Sequence, residues 1–417
     1  MSRLFYQAAQ GAGNRMAFGN IIDRRKTNKR NHIIDLFRMH GTLSKAQARE
    51  FSGYSMDTVI RIFSSLIRDG LITETEGEQK SRGRRALFYS LNFNRSLYLG
   101  ITFNQSGIFS SLTGFSCEIL DTHSSELDLN TGREEFIAAF RKHAKTVLSR
   151  NPALAHSLSG IGCSVPGNID TESGVLHSYS FMPSIRDINF RELAGTCFPG
   201  VPVSITHNIH SMTCSVLRNR DIIGAHDLIL FVSARSGAAN SLVYRGDIIA
   251  GHGEMGHIKV SDEKRKCSCG KYGCLDCYFS YREFMDIMAR ENAADSAGDK
   301  GLPGSDGLAR LAKAYAGGDR RITGILNNRL AYFTAALIDI INVTVPDLVI
   351  LTGELLSVYG DPVALINKIS IERFGNTDIV SHFRKSEIIY MELGTEIAAQ
   401  GICYEMILSE WQYIPDS

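Results

Sequence analysis

Long apolar segments are missing from this sequence of 417 residues. No stretch approaches the roughly 18 consecutive apolar residues of a membrane-spanning helix. A secretory signal is also missing, because residues 1–25 contain Arg3, Arg15 and Arg24 but no apolar central block. We therefore expect a soluble cytoplasmic protein that has no membrane partner. No repeat of fixed period is visible, so a solenoid is not expected.

Disulfide bonds are disfavoured in the cytoplasm, so the 9 cysteines are interpreted as free thiols or metal ligands. Hydrophobic residues make up 44% and charged residues 21% of the chain, as in ordinary globular proteins. At roughly 100–200 residues per domain, the length excludes a single small module.

Charge is unevenly distributed although the net charge is only +1. Residues 1–95 hold 17 Lys and Arg against 8 Asp and Glu, an excess of +9, and the rest of the chain holds 28 against 36, or −8. Clustered cations are favoured where a protein binds a polyanion, because phosphate contacts release counterions. A solvated basic surface without a partner is the alternative.

Three helices are predicted at the N-terminal side. The first spans residues 28–40, the second follows the cap Ser44, and the third follows the cap Ser55 and ends near Gly70, with a tight turn at Gly53 between the last two. Helix, glycine turn and helix together indicate a helix-turn-helix. The apolar face of the third helix is predicted to comprise Val59, Ile62, Phe63, Leu66 and Ile67.

The opposite face of the third helix is predicted to contact double-stranded operator DNA. Two strands, at residues 71–72 and 86–91, flank a basic loop that we interpret as a wing against the minor groove or phosphates. A module that only docks to protein is the alternative. The candidate DNA-binding residues are Ser55, Met56, Asp57, Thr58 and Arg61 on the helix and Lys80, Arg82, Arg84 and Arg85 in the wing.

The remainder of the chain alternates short apolar runs with helical segments, which indicates α/β architecture. A long amphipathic helix is predicted at about residues 322–341. The clearest strands are predicted at residues 97–101, 161–165, 228–232 and 348–351.

One histidine and three cysteines, His257, Cys267, Cys269 and Cys274, match the Cys₃His ligand set of a structural Zn²⁺ site. Glycines between the cysteines permit the tight turn that points thiolates inward. Cys277 is interpreted as a bystander. Free thiols beside a hydrogen-bonded histidine are the alternative.

The segments Gly253-Glu254-Met255-Gly256-His257 and Cys267 to Asp276 closely resemble the zinc loop of the ROK family of repressors, open reading frames and sugar kinases. Val165-Pro166-Gly167 and the strand and turn from Pro346 to Gly353 extend the resemblance. It implies a two-lobed, actin-like α/β body (sugar kinase or RNase H-like) behind a winged helix-turn-helix. The expected domains are an extension at 1–25, the DNA-binding domain at 26–93, lobe 1 at 96–205 plus 388–417, and lobe 2 at 206–387 with the zinc loop at 253–277.

Kinases of this family use three motifs that are altered here. The aspartate of the phosphate loop is replaced by Thr102, and the catalytic Asn-Asp pair by His207 and Asn208. The glycine-rich nucleotide loop is replaced by residues 236–241. Since an amide cannot act as a general base, we expect no useful kinase activity and assign no catalytic residue. A substitute base at His207 or His210 is the alternative.

The sugar-binding positions are better kept. By resemblance, Glu254, His257 and Asp276 contact sugar hydroxyls, with Asn208 beside them. Carboxylates that accept paired hydroxyl hydrogen bonds suit a polyol. Support of the zinc loop is the alternative role for Glu254 and Asp276.

We therefore expect a regulator, most simply a repressor of carbohydrate-metabolism genes, that senses a sugar or sugar derivative. A homodimer or dimer of dimers matches a pseudo-palindromic operator. The linker at residues 92–96 is expected to couple the cleft to the DNA-binding module. An ATP-dependent sugar kinase and a regulator controlled by a protein partner are the alternatives.

Overall fold

The computed structural model describes residues 29–75, 87–92, 95–128, 130–152, 158–218, 222, 225–295, 307–375 and 380–412. The chain divides between Leu91 and Asn92 into an N-terminal unit and a larger unit, each compact. None of the helices within these ranges is long and apolar enough to cross a lipid bilayer.

Three helices and a three-stranded antiparallel sheet make up the described part of the N-terminal unit. They are α1 (Lys29–His40), α2 (Lys45–Ser52), α3 (Met56–Arg68), β1 (Thr42–Ser44), β2 (Ile72–Thr75) and β3 (Phe88–Leu91). The strand order is β1-β3-β2. The short strand β1 was not predicted, because three residues cannot show an alternating pattern.

Side-chain caps fix where α2 and α3 begin. The Ser44 hydroxyl accepts a hydrogen bond from the Gln47 amide (3.2 Å), and the Gln47 side chain accepts one from the Ser44 amide (3.0 Å). Ser55 caps α3 by accepting from the Thr58 amide. Gly53, between the two helices, has a φ of 70° that glycine adopts readily. Both predicted caps are confirmed.

Helix α3 buries one face against the rest of this unit. The Phe63 ring lies 5.4 Å from that of Phe37 and 5.1 Å from that of Tyr89. Ile67 is 41% exposed, so its predicted place on the buried face is wrong. It lies about 80° around the helix from Val59, at the edge of the apolar face. The predicted residues that are buried are Val59, Ile62, Phe63 and Leu66.

Two five-stranded sheets form the framework of the larger unit, with strand orders β11-β7-β4-β5-β6 and β14-β13-β12-β15-β16, and β8, β9 and β10 form a small third sheet. The four strands predicted from apolar runs are confirmed within β4, β7, β12 and β15. The bounds are β4 (Leu97–Asn104), β5 (Gly107–Gly114), β6 (Ile119–Glu126), β7 (Leu158–Val165), β8 (Asn168–Asp170), β9 (Val175–Ser178), β10 (Ile188–Asn189), β11 (Val203–His207), β12 (Leu228–Ala234), β13 (Ala238–Tyr244), β14 (Asp247–Gly253), β15 (Leu348–Thr352) and β16 (Glu387–Tyr390).

Helices cover the sheets. Phe136 and Phe140 of α4 and Phe190 of α5 pack on one face of the first sheet, and α9 contributes a long apolar face to the core of the second. The predicted long helix is confirmed within α9. The bounds are α4 (Arg133–Arg150), α5 (Phe190–Cys197), α6 (Asn208–Val216), α7 (Tyr281–Asp295), α8 (Gly307–Ala316), α9 (Arg320–Thr344), α10 (Glu354–Ser357), α11 (Pro362–Phe374), α12 (Ser381–Lys385) and α13 (Ile397–Gln412).

The two lobe boundaries differ from the prediction by a few residues. Strand β16 pairs in parallel with β15, so residues 388–390 belong to the second lobe rather than the first. Strand β11 pairs with β7 as far as His207, so the first lobe extends beyond residue 205. The chain returns to the first sheet only with α13. The boundary was mispredicted because the sequence of a strand does not reveal which strand it pairs with.

Glycines let α13 lie unusually close to its neighbours. A Cβ on Gly401 would stand 1.7 Å from the Ser211 carbonyl oxygen of α6, and one on Gly100 of β4 would stand 1.9 Å from the Ala399 carbonyl oxygen. A Cβ on Gly162 of β7 would stand 2.6 Å from Ile402. Through these glycines, α13 makes direct backbone contacts with the first sheet and with α6, and these contacts fix the position of α6.

We predict that Gly401→Ala destabilises the protein by about 1–3 kcal/mol or more, because the new methyl group meets backbone rather than a flexible side chain. Gly324→Ala is the matched control. Gly324 is also helical, but a Cβ there would meet nothing within 4 Å, so alanine should be neutral or stabilising by up to about 1 kcal/mol. Urea unfolding followed by circular dichroism measures both; equal midpoints would contradict the proposed backbone contact.

Candidate functional site

A cavity of about 320 Å³ lies in the larger unit where strands of both sheets end. Residues at the carboxyl ends of β4, β7, β11 and β12 line it, together with the loop that follows β14. Such edges are where α/β sheets bind ligands. The structure brings to this one cavity the predicted residues Thr102, His207, Asn208, Glu254, His257 and Asp276.

His207 and Asn208 lie at the junction of β11 and α6. The His207 ring caps α6, since Nδ1 accepts a hydrogen bond from the Ile209 amide at 3.4 Å. Burial, and then the neighbouring His252, lower the pKa of His207 to about 4. The two rings lie 5.3 Å apart. His207 is therefore neutral at physiological pH, and Asn208 opens the helix beside it.

Asp276 is a partly buried residue in the cavity wall, and its carboxyl group packs against Gly237 and Gly256. Its Oδ1 accepts a hydrogen bond from the Ala238 amide at 3.1 Å, which joins the loop after β14 to the start of β13. Burial raises the pKa of Asp276 to about 7, against the opposing effect of that hydrogen bond. A Cβ on Gly256 would stand 2.2 Å from Oδ1, so glycine is needed for the carboxyl group to fit.

Thr102 and Asn104 use their polar groups within the protein. The buried Thr102 hydroxyl donates to the Ser164 carbonyl at 2.8 Å, which holds β4 to β7. Asn104 Oδ1 accepts from the Ser106 amide at 2.8 Å and the Gly107 amide at 3.2 Å, which closes the turn into β5. In this segment, side-chain oxygens therefore stabilise a strand pair and a tight turn.

Arg235 is a lining residue that the sequence reasoning missed. It is 8% exposed, and its guanidinium donates to Glu354 at 2.9 Å and to the Leu393 and Gly394 carbonyls at 2.6 and 3.2 Å. The neighbouring segment predicted as a degraded nucleotide loop is mostly strand β13, paired antiparallel with β12. The sequence gives no local signal for this network, because Arg235 and its partners lie more than a hundred positions apart along the chain.

His257, Cys267, Cys269 and Cys274 form a compact cluster whose ligand atoms lie within 4.8 Å of one another. Cys267 Sγ lies 3.6 Å from His257 Nδ1, and Cys269 Sγ lies 3.7 Å from Cys274 Sγ. The cluster could hold a metal ion. The other ring nitrogen, His257 Nε2, lies 3.9 Å from Glu254 Oε2, so one imidazole faces both the thiols and the cavity carboxylate.

Cys277 lies outside this cluster. Its Sγ lies 3.7 Å from the Arg265 carbonyl oxygen, and burial raises the pKa of its thiol to about 11. The bystander role of Cys277 stays a prediction.

The predicted DNA-binding residues of α3 lie on its first two turns. Ser55, Asp57 and Arg61 are exposed, whereas Met56 and Thr58 are partly buried. The Ser55 and Thr58 hydroxyls are 2.9 Å apart. The predicted wing residues Lys80, Arg82, Arg84 and Arg85, and the extension at 1–25, lie outside the described residues.

The fold and cavity define an α/β protein of the actin-like sugar-kinase class. A family profile described as the ROK family matches residues 98–403. The chain therefore belongs to the ROK family, as the sequence resemblance predicted.

Similar proteins agree with this assignment. The DNA-binding transcriptional repressor Mlc of Escherichia coli K12 is 24% identical over 339 residues, which cover 80% of this chain and 82% of Mlc. A Caldicellulosiruptor protein with a xylose-repressor name is 25% identical over 60% of this chain, and the match spans only 63% of that relative. The crystal structure of a ROK family transcriptional regulator, a homologue of E. coli Mlc, has a TM-score of 0.68 and 18% identity, covering 91% of this chain and 96% of that one.

Proposed function

We propose that this protein is a DNA-binding transcriptional repressor of carbohydrate-metabolism genes that binds a sugar or sugar derivative in the cavity. One observation carries this proposal: the cavity lining combines two carboxyl groups, Glu254 and Asp276, with uncharged side chains at the positions that correspond to the catalytic residues of kinases in the family. The cavity keeps side chains that can bind sugar hydroxyls. At positions 102 and 208, where the kinases have aspartate, this chain has Thr102 and Asn208. The repressor names of its relatives support the same assignment.

The altered motifs explain why we propose a receptor rather than an enzyme. A general base works best with a pKa near the working pH, and a histidine with a pKa of about 4 is a weak base. Asn208 has no basic oxygen, and the Thr102 hydroxyl is committed to Ser164. Phosphoryl transfer depends on positioning and electrostatic stabilisation, which these substitutions remove.

The sugar site follows from the donor and acceptor inventory of the cavity. Glu254 offers a carboxylate that is largely exposed, while Asp276 offers a carboxyl group whose pKa of about 7 lets it accept or donate a hydrogen bond. Asn208 and His257 Nε2 complete a polar wall suited to a polyol. The cavity volume of about 320 Å³ is within the range of small-molecule sites.

Asp276→Asn is expected to weaken binding of the effector sugar by roughly 10- to 100-fold, because a hydrogen bond to a charged group contributes about 1.5–3 kcal/mol. The effector is first identified by thermal shift with a panel of pentoses, hexoses and N-acetylated hexosamines, and affinity is then measured by calorimetry.

Asp262→Asn is the matched control, since Asp262 lies in the same loop with a side chain that is 97% exposed. It should leave affinity unchanged. ATP-dependent phosphorylation of any sugar in the panel would favour the kinase, and the absence of any sugar-induced shift would favour control by a protein partner.

We assign the Cys₃His cluster to a structural Zn²⁺ ion. Three thiolates and one imidazole are a closed ligand set for zinc, with no position left for a reacting water molecule. His257 Nδ1, Cys267, Cys269 and Cys274 would hold the ion, and Nε2 of the same ring would remain available to Glu254 and the sugar. Bound zinc supplies a cross-link that shapes this wall of the cavity.

Cys267→Ser should remove one equivalent of zinc and disorder residues 257–277, since a hydroxyl is a far poorer ligand than a thiolate. Cys277→Ser is the matched control and should keep the full zinc content. Plasma mass spectrometry of the purified proteins measures zinc, and limited proteolysis measures loop order. Equal zinc content in the two variants would refute the proposed ligand set.

We propose that α3 enters the DNA major groove. Its exposed first turns carry hydrogen-bonding and cationic groups, and the helix follows α2 across a glycine turn, as in a helix-turn-helix. The local excess of +9 supplies the counterion-release contribution. A homodimer or dimer of dimers would present two such helices to a pseudo-palindromic operator.

Arg61→Ala is expected to lower operator affinity by roughly 5- to 100-fold, and, if Arg61 contacts phosphate, to reduce the slope of log K against log salt by about 1. The operator is obtained by selecting DNA from a random pool with the purified protein. Arg68→Ala, a change at the far end of the same helix, is the control and should have little effect. Equal losses in the two variants would contradict a contact through the N-terminal turns of α3.

A further inference from the structure

A second group of metal-ligating side chains lies between α6 and α13, on residues separate from the Cys₃His cluster. His210 and Cys214 are four residues apart and therefore share one face of α6, and Glu405 faces them from α13. His210 Nε2 lies 3.5 Å from Glu405 Oε1. With Cys214 Sγ, the three donor atoms lie within 4.8 Å of one another.

The surroundings of these groups leave one buried hydrogen-bond acceptor without a partner among the described residues. Glu405 Oε2 is shielded from solvent and accepts no hydrogen bond from any residue that the structure describes. An unsatisfied buried oxygen costs about 1–3 kcal/mol, more when it is charged. The Cys214 residue is 6% exposed, while the His210 side chain is 27% exposed, so an ion could reach the group past the imidazole.

The His210 ring is held in place by a close backbone approach. A Cβ on Gly251 of β14 would stand 2.4 Å from His210 Nδ1, so the ring packs directly over that glycine. Its Nδ1 edge lies against β14 and its Nε2 faces Glu405. A fixed ring orientation of this kind is what a histidine metal ligand requires.

We propose that His210 Nε2, Cys214 Sγ and Glu405 form a second metal site, for a borderline divalent transition ion such as Zn²⁺. Ligand bonds of about 2.0–2.3 Å in a tetrahedral site place donor atoms about 3.5 Å apart, close to the separation of His210 and Glu405. One thiolate and one imidazole disfavour Mg²⁺ and Ca²⁺, which select oxygen ligands. Binding displaces the Cys214 proton to solvent, and a water molecule takes the fourth position.

Such an ion would fasten the helix that starts at the cavity to the helix that covers the first sheet. Asn208 is the first residue of α6, so His210 and Cys214 follow the cavity wall within two helical turns. The site therefore sets how rigidly the wall residues His207 and Asn208 are held. This inference does not depend on the identity of the proposed effector.

The test is metal stoichiometry in the full-length protein, stripped with chelator and titrated with Zn²⁺ and with Co²⁺. The unmodified chain should bind two equivalents, and Cys214→Ser, His210→Gln and Glu405→Gln should each bind one. Sulfur-to-cobalt charge-transfer absorption should fall in all three variants to the contribution of the Cys₃His site alone. Cys197→Ser, a half-buried thiol on α5, is the control and should bind two.

Circular dichroism and melting temperature verify that each variant is folded. A single equivalent in the unmodified chain overturns the proposal without any variant. A second equivalent that survives both Cys214→Ser and Glu405→Gln also overturns it, because the ion then binds elsewhere. A second equivalent that is lost in all three variants and kept in Cys197→Ser supports it.

Discussion

The larger unit depends on backbone-to-backbone contact between α13 and its neighbours. Helices ordinarily pack at 8–10 Å between axes through side chains, and glycine removes that spacer. Gly401 brings α13 against the Ser211 carbonyl of α6, and Gly100 brings β4 against the Ala399 carbonyl of α13. Because α6 starts at the cavity and β4 ends there, these contacts set the distance between His207 on one wall and Thr102 on another. Gly401 and Gly100 therefore influence the shape of the cavity although neither residue lines it.

Chemistry in the cavity is divided between groups that are satisfied internally and groups that remain available. Thr102 and Arg235 donate to carbonyl or carboxylate oxygens of the protein, so they stabilise the walls. Glu254 and Asp276 stand on the loop that carries the Cys₃His cluster, and His257 belongs to both. The wall for which we propose polyol binding is therefore the wall for which we propose a structural metal ion, so the proposed carbohydrate recognition depends on the order of that loop.

The parts of the fold that depend on local chemistry were predictable. Ser44 and Ser55 identify their helices because a cap is a contact over three residues. The Cys₃His cluster is dense in sequence and is found together in space. Arg235 was missed because its partner Glu354 lies more than a hundred residues away along the chain. The pairing of β16 with β15 was missed because it joins two segments that are separated by several helices. Ile67 was misplaced because a periodic pattern defines the centre of a buried face better than its edge.

The first sheet is covered in part by α13, which is synthesised long after the strands on which it packs. The first sheet consists of residues 97–207, and one of its faces is covered by α4 and α5, which are made with it. The other face receives α13, which is translated only after the whole second lobe. A nascent chain on the ribosome therefore holds that face bare until very late, and folding of this lobe must await contacts of long sequence separation, which form slowly. The first lobe therefore gains its covering helix only after its most distant segment has been translated.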